Sequence, residues 1–139
     1  AATKSTFKDA DKHMVFPEII SKEPLGPLVR QGDDQWADIG RWVLNALIVG
    51  EEMNITKANV AAKANGTKNP EVNRLLGTEG SIGKWLGMDA KWAVRAISAN
   101  GNYAEIFEKF IGKNTPLGLA RGQNALYNKG GILYAQPVR

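Results

Sequence analysis

From Trp36 onward, Trp36, Ile39, Val43, Ala46, Leu47, Gly50 and Met53 recur at three- and four-residue steps. That period lays one apolar stripe along an α-helix of about 20 residues, and it constrains the fold more than any other feature of the chain. Asp38, Arg41, Asn45 and Glu52 fall mainly on the opposite face. The helix has a start signal. Gln31-Gly32-Asp33-Asp34 turns the chain, Asp33 has the side chain of an N-cap, and Asp34 adds charge that favours the helix dipole.

Further helices are signalled downstream. Thr56 precedes an Ala-rich Lys57–Ala64 closed by Asn65-Gly66, and Asn69-Pro70 opens a short helix with Val72, Leu75 and Leu76 on one side. Asp89 starts a helix through Trp92, Ala93, Ala96 and Ile97 that ends at Asn100-Gly101. Asn102-Tyr103-Ala104-Glu105 then has capping-box spacing before Ile106, Phe107, Phe110 and Ile111, with Gly112 as the stop. Thr115-Pro116 predicts a last short helix reaching Tyr127.

Extended pieces are expected at Met14-Val15-Phe16 before Pro17, at Leu25 to Arg30 with Pro27 forcing an edge or bulge, and at Ile132-Leu133-Tyr134. The polar stretch Ala1 to Asp11 reads as the tail of a helix. The expected fold class is α+β and mostly helical, with about five to six helices and two or three short strands. Residues 1–139 form a single domain, with a crossing segment over 17–32.

Composition narrows the function. With 43% hydrophobic and 23% charged residues, the chain has the profile of a folded domain. The absence of cysteine removes disulfides, thiolate nucleophiles and the usual zinc knuckles. The net charge of +4 and pI near 9.4 are spread along the chain, which predicts a solvated basic surface and no nucleic-acid partner. No apolar run approaches the roughly 20 residues of a membrane helix. The longest, Trp42–Val49, is interrupted by Asn45. The start at Ala1-Ala2-Thr3, with neither an initiator Met nor a signal-peptide pattern, reads as a processed or excised piece.

Chemistry is hard to find. His13 is the single histidine and has no second ligand at a metal spacing, and Ser5, Ser21, Ser81 and Ser98 stand in no nucleophile context. Capping accounts for Asp33/Asp34 and a solvated face for Glu51/Glu52. Gly77, Gly80 and Gly83 follow a helix rather than a strand and lack the Lys-Ser/Thr of a P-loop, so they read as helix stops and a turn. Trp36, Trp42, Trp85 and Trp92 read as core rather than as a ligand platform. The chain is expected to be no enzyme, with no catalytic residue, cofactor or metal site.

The run EPLGPLVRQGDDQW resembles the polar amino-acid-binding proteins of ABC importers, whose chains return from the second lobe to the first through a segment of the type E-P-x-G-x-x-V-R-x-G-D. Here that is Glu23, Pro24, Gly26, Val29, Arg30, Gly32 and Asp33. A wider likeness to the general L-amino-acid-binding branch runs through FPEIISKEPLGPLVRQGDDQWADIGRWVLNALIVGEE, NPEVNRLLG, GNYAEIFEKFIG and ARGQNALYNKGGILYAQPVR in the same order.

The resemblance implies a piece of a two-lobed periplasmic-binding-protein fold, in which a polar L-amino acid is clamped between lobes and closure is reported to a membrane permease. It implies a periplasmic or secreted location and hinge residues Ser21, Glu23, Pro24 and Gly26. A full member is more than twice as long, so the resemblance makes this chain the C-terminal part, without most ligand contacts, and assigns no ligand-binding residue. The second reading is a self-standing protein-interaction or inhibitory module, or a stable proteolytic remnant, forming a homodimer or domain swap through uncovered apolar faces.

Overall fold

The structure is a computed structural model and describes residues 2–18, 20–21 and 25–139. Its helices in chain order are α1 Ala2–Ser5, α2 Asp34–Glu52, α3 Val60–Lys63, α4 Pro70–Leu75, α5 Ile82–Trp85, α6 Trp92–Asn100 and α7 Tyr103–Phe110. Short 3-10 turns lie at Ala10–Lys12, Gly122–Asn124 and Tyr127–Lys129.

The caps sit where the side chains call for them. Asp33 Oδ1 accepts from Trp36 N at 3.1 Å at the start of α2, and Asn69 Oδ1 accepts from Glu71 N at 2.9 Å at the start of α4. At α7 the capping box closes in both directions, Asn102 Oδ1 accepting from Glu105 N at 3.0 Å and Glu105 Oε2 from Asn102 N at 2.8 Å. Each bond satisfies an amide that the first helical turn leaves without a partner.

The core gathers on the C-terminal half of α2. Ala46, Ile48 and Val49 pack with Ile55, Val60, Val72, Leu75, Leu76, Leu86, Trp92, Ala93 and Ile97. Leu126, Ala135 and Val138 of the tail complete the same cluster. Helix α2 lies against α6 and α7, and α3 lies against α6. Gly50 marks a close approach of α2 to these helices, since a Cβ there would stand 3.2 Å from Ile97 Cδ1 and 3.4 Å from Asn102 Cβ.

Several expectations are corrected. No strand forms among the described residues, and the single ladder-like contact is an isolated bridge between Leu126 and Leu133. Met14 to Phe16 and Leu25 to Arg30 have no assigned secondary structure and are exposed. A strand exists only where a neighbour takes up its backbone groups, and among the described residues these segments have no strand partner. The Ala-rich helix contracts to Val60–Lys63, and the expected helix from Thr115 to Tyr127 is replaced by 3-10 turns. Gly118 and Gly122 there adopt φ of +59° and +49°, values that interrupt a right-handed helix. Helix α5 forms where only stops and a turn were expected.

The tryptophans divide. Trp92 is buried and Trp42 is half-buried against the core, whereas Trp36 and Trp85 are exposed, Trp85 at 76%. The reading of all four as core therefore fails for two of them. In the N-terminal half of α2 the apolar stripe is only half covered.

Candidate functional site

The described residues of the segment expected to act as a hinge stand clear of the core. Ser21 and Gly26 are exposed, and no heavy atom lies within 4 Å of the position a Cβ would take at Gly26. Glu23 and Pro24 lie outside the described residues. Around this segment Ile20 and Leu28 are each 97% exposed, and Met14, Phe16 and Leu25 are also exposed. The described residues of the expected hinge are thus brought against no ion-paired or hydrogen-bonded cluster.

Charged chemistry concentrates elsewhere, where the tail crosses the end of α2. Glu51, read from sequence as part of a solvated face, is 6% exposed, and its Oε2 accepts from Arg121 Nη2 at 2.8 Å. The Arg121 guanidinium also donates to Asn124 O and lies over the Tyr103 and Phe107 rings, 5.4 and 5.1 Å from their centroids. A buried carboxylate is tolerated because it is paired at hydrogen-bonding distance while the planar cation stacks on aromatic faces.

Next to it, Tyr127 Oη donates to Glu52 Oε1 at 3.1 Å, and the Tyr127 ring meets Tyr134 edge-on at 5.2 Å. The hydrogen bond to Glu52 and the Glu52 charge raise the Tyr127 pKa above 10.0, because both favour the neutral phenol. Sequence reasoning missed this seam. Arg121 and Glu51 are 70 residues apart, and nothing local pairs them.

The remaining candidates hold no convergent chemistry. His13 is exposed and stacks edge-on with Phe7 at 4.9 Å. Among the described residues no three His, Cys, Asp or Glu side chains could hold a metal ion. The GTEGSIG loop borders an open cavity of about 240 Å³ with Arg74, Lys84 and Trp92. Gly77 and Gly80 adopt φ of +71° and +79° there, as turn residues do. No helix is long and apolar enough to cross a membrane among the described residues.

No family model matches the chain. It is 53% identical over 139 residues to the glutamate/glutamine/aspartate/asparagine-binding protein of Rhodobacter capsulatus, covering 100% of this chain and 41% of that protein. It is 57% identical over 136 residues to the general L-amino acid-binding periplasmic protein of Rhizobium johnstonii, covering 96% of this chain and 40% of that protein. Its homologues are amino-acid-binding periplasmic proteins of ABC transporters. The chain spans about two fifths of their length.

Among solved structures, an ABC-transporter periplasmic binding protein from Brucella ovis with glutathione bound superposes with a TM-score of 0.90 at 51% identity, covering 98% of this chain and 43% of that one. The helical arrangement is therefore part of a periplasmic binding protein fold. These relatives are named as binding proteins.

Proposed function

We propose that this chain is part of the solute-capturing component of an ABC importer and that the complete clamp requires polypeptide beyond residues 1–139. The observation that carries the reading is the match to the Brucella ovis binding protein, 51% identity at a TM-score of 0.90 over 98% of the chain. The ligand is a polar L-amino acid, drawn from the glutamate, glutamine, aspartate and asparagine named for the Rhodobacter relative, or an amino-acid-derived peptide such as the glutathione of the Brucella protein. The location is periplasmic and the membrane partner is an ABC permease.

Residues 1–139 act as one unit, with 17–32 as its crossing segment and Ser21, Glu23, Pro24 and Gly26 as hinge positions. Two features support that assignment. The Ile20 and Leu28 side chains are almost fully exposed, and Gly26 has open space where a Cβ would stand. A segment so placed absorbs dihedral change without breaking core contacts.

The same exposed apolar side chains favour a covering partner, because a soluble surface rarely leaves such a run open. The first candidate is the portion of the binding protein that this chain does not match, and a second copy of the chain is the alternative. Size-exclusion chromatography of the chain mixed with the unmatched portion of the Rhodobacter relative separates them. A one-to-one heterocomplex is expected, and a chain that stays monomeric with or without that portion would sink the reading.

A further inference from the structure

We infer that Asn65 is a site of spontaneous deamidation and isoaspartate formation, and that the fold protects Asn100, the chain's other asparagine followed by glycine. The reaction needs no enzyme. The Gly66 backbone nitrogen, after loss of its proton to water, bonds to Asn65 Cγ, and the bond from Cγ to the side-chain nitrogen breaks as that nitrogen takes a proton back from water. Ammonia leaves and a five-membered succinimide remains. Water then adds to one of its two carbonyls, and ring opening gives aspartate or isoaspartate. Glycine in the following position favours the attack because no Cβ blocks the approach and the backbone can rotate freely.

Both pairs were recognisable as helix terminators, but their surroundings differ. Asn65 and Gly66 are both exposed, and no heavy atom lies within 4 Å of where a Gly66 Cβ would stand. The Gly66 N–H is held by one long bond, 3.2 Å to Lys63 O, at the end of the four-residue α3. A single turn of helix opens at little cost, which frees that amide to attack.

At the second pair the attacking nitrogen is held. Asn100 is the last residue of the nine-residue α6, and the Gly101 N–H closes that helix with a 2.8 Å bond to Ile97 O. Gly101 is buried, and a Cβ there would stand 2.8 Å from Glu105 Oε2. That carboxylate opposes loss of the neighbouring amide proton, since a second negative charge beside it is disfavoured. Glu105 is itself fixed by accepting from Asn102 N and Lys57 N. Cyclisation at Asn100 therefore requires breaking the α6 terminus and the capping box together.

Modification at Asn65 would fall in the turn that joins α3 to α4. There the Thr67 N–H donates to the buried Asn73 Oδ1 at 2.8 Å, and Lys91 Nζ donates to Ala64 O at 3.0 Å. Isoaspartate lengthens the main chain between those two anchors by one methylene, and either product adds a carboxylate beside Lys63 and Lys68.

The test is incubation of the intact chain at mildly alkaline pH and body temperature, followed by trypsin and mass spectrometry. Cleavage after Lys63, Lys68, Arg95 and Lys109 places the two asparagines in separate peptides, Ala64 to Lys68 and Ala96 to Lys109. Asn65 is expected to convert roughly tenfold or more faster than Asn100 in the folded chain, and the two rates are expected to converge in urea. Asn65→Gln should abolish the conversion in the first peptide. Equal native rates, a faster Asn100, or the same rate ratio in urea would overturn the inference, the last by tracing the difference to local sequence alone.

Discussion

Arg121 Nη2 donates to Glu51 Oε2 across 2.8 Å, joining the C-terminal tail to the end of α2 through a carboxylate that is 6% exposed. The pair has two aromatic rings beneath the cation and one backbone carbonyl beside it. Whatever this pair adds to stability in net terms, removing one member leaves the other charge stranded.

Arg121→Met is therefore expected to destabilise the fold by about 3 kcal/mol, and Glu51→Gln by less. The double variant should lose less than the sum of the two single losses, as contacting residues do. Urea denaturation of the four proteins checks this, and strict additivity would rule out the coupling.

Tyr127 should resist ionisation. Its pKa is raised because Glu52 both accepts its proton in a hydrogen bond and repels the phenolate. The stabilisation linked to this bond is present below pH 10, the ordinary value, and is lost as pH climbs through the higher folded value. Ultraviolet titration of wild type against Glu52→Gln should show phenolate forming at lower pH in the variant. Identical curves would mean that Glu52 does not act on Tyr127.

Asn102 holds two places at once. It caps α7, and its Nδ2 donates to Ile55 O at 2.9 Å in a buried position. Asn102→Ala removes a cap and leaves a buried carbonyl without its donor, and the expected loss is about 2 to 3 kcal/mol. The melting temperature should fall, with loss of helical circular dichroism on heating occurring earlier than in wild type.

Leu28 and Leu76 should behave as opposites. Leu76 is 0% exposed within the core, so Leu76→Ala should cost about 2 to 5 kcal/mol. Leu28 is 97% exposed, and Leu28→Ser should change the stability of the chain by less than about 0.5 kcal/mol. If the covering partner proposed above binds this segment, the Leu28 change should appear only as weaker association.

Legibility in the sequence followed the range of the interactions. The caps at Asp33, Asn69 and Asn102 and the stop at Gly101 depend on neighbours a few residues away, and they were readable for that reason. The strands were expected from short apolar runs bounded by proline, yet pairing is a property of two segments, and among the described residues Met14 to Phe16 has no second one. Glu51 was misassigned because its partner lies in the tail, and burial of a charge is decided by that partner rather than by the residue. Trp85 was read as core from its helical spacing, but it lies at the end of the four-residue α5 and its ring is exposed. The hinge positions were named by resemblance, Glu23, Pro24 and Gly26 within the motif and Ser21 just before it, and the structure describes Ser21 and Gly26.

The clamp proposed for the binding protein is one that this chain contributes to and does not complete. Calorimetric titration of glutamate, glutamine, aspartate, asparagine and glutathione tests it most directly, run once into the chain alone and once into the chain complexed with the unmatched portion of the Rhodobacter relative. One-to-one binding of at least one ligand is expected from the complex and no measurable heat from the chain alone. Tight one-to-one binding by the chain alone, or none by the complex, would contradict it.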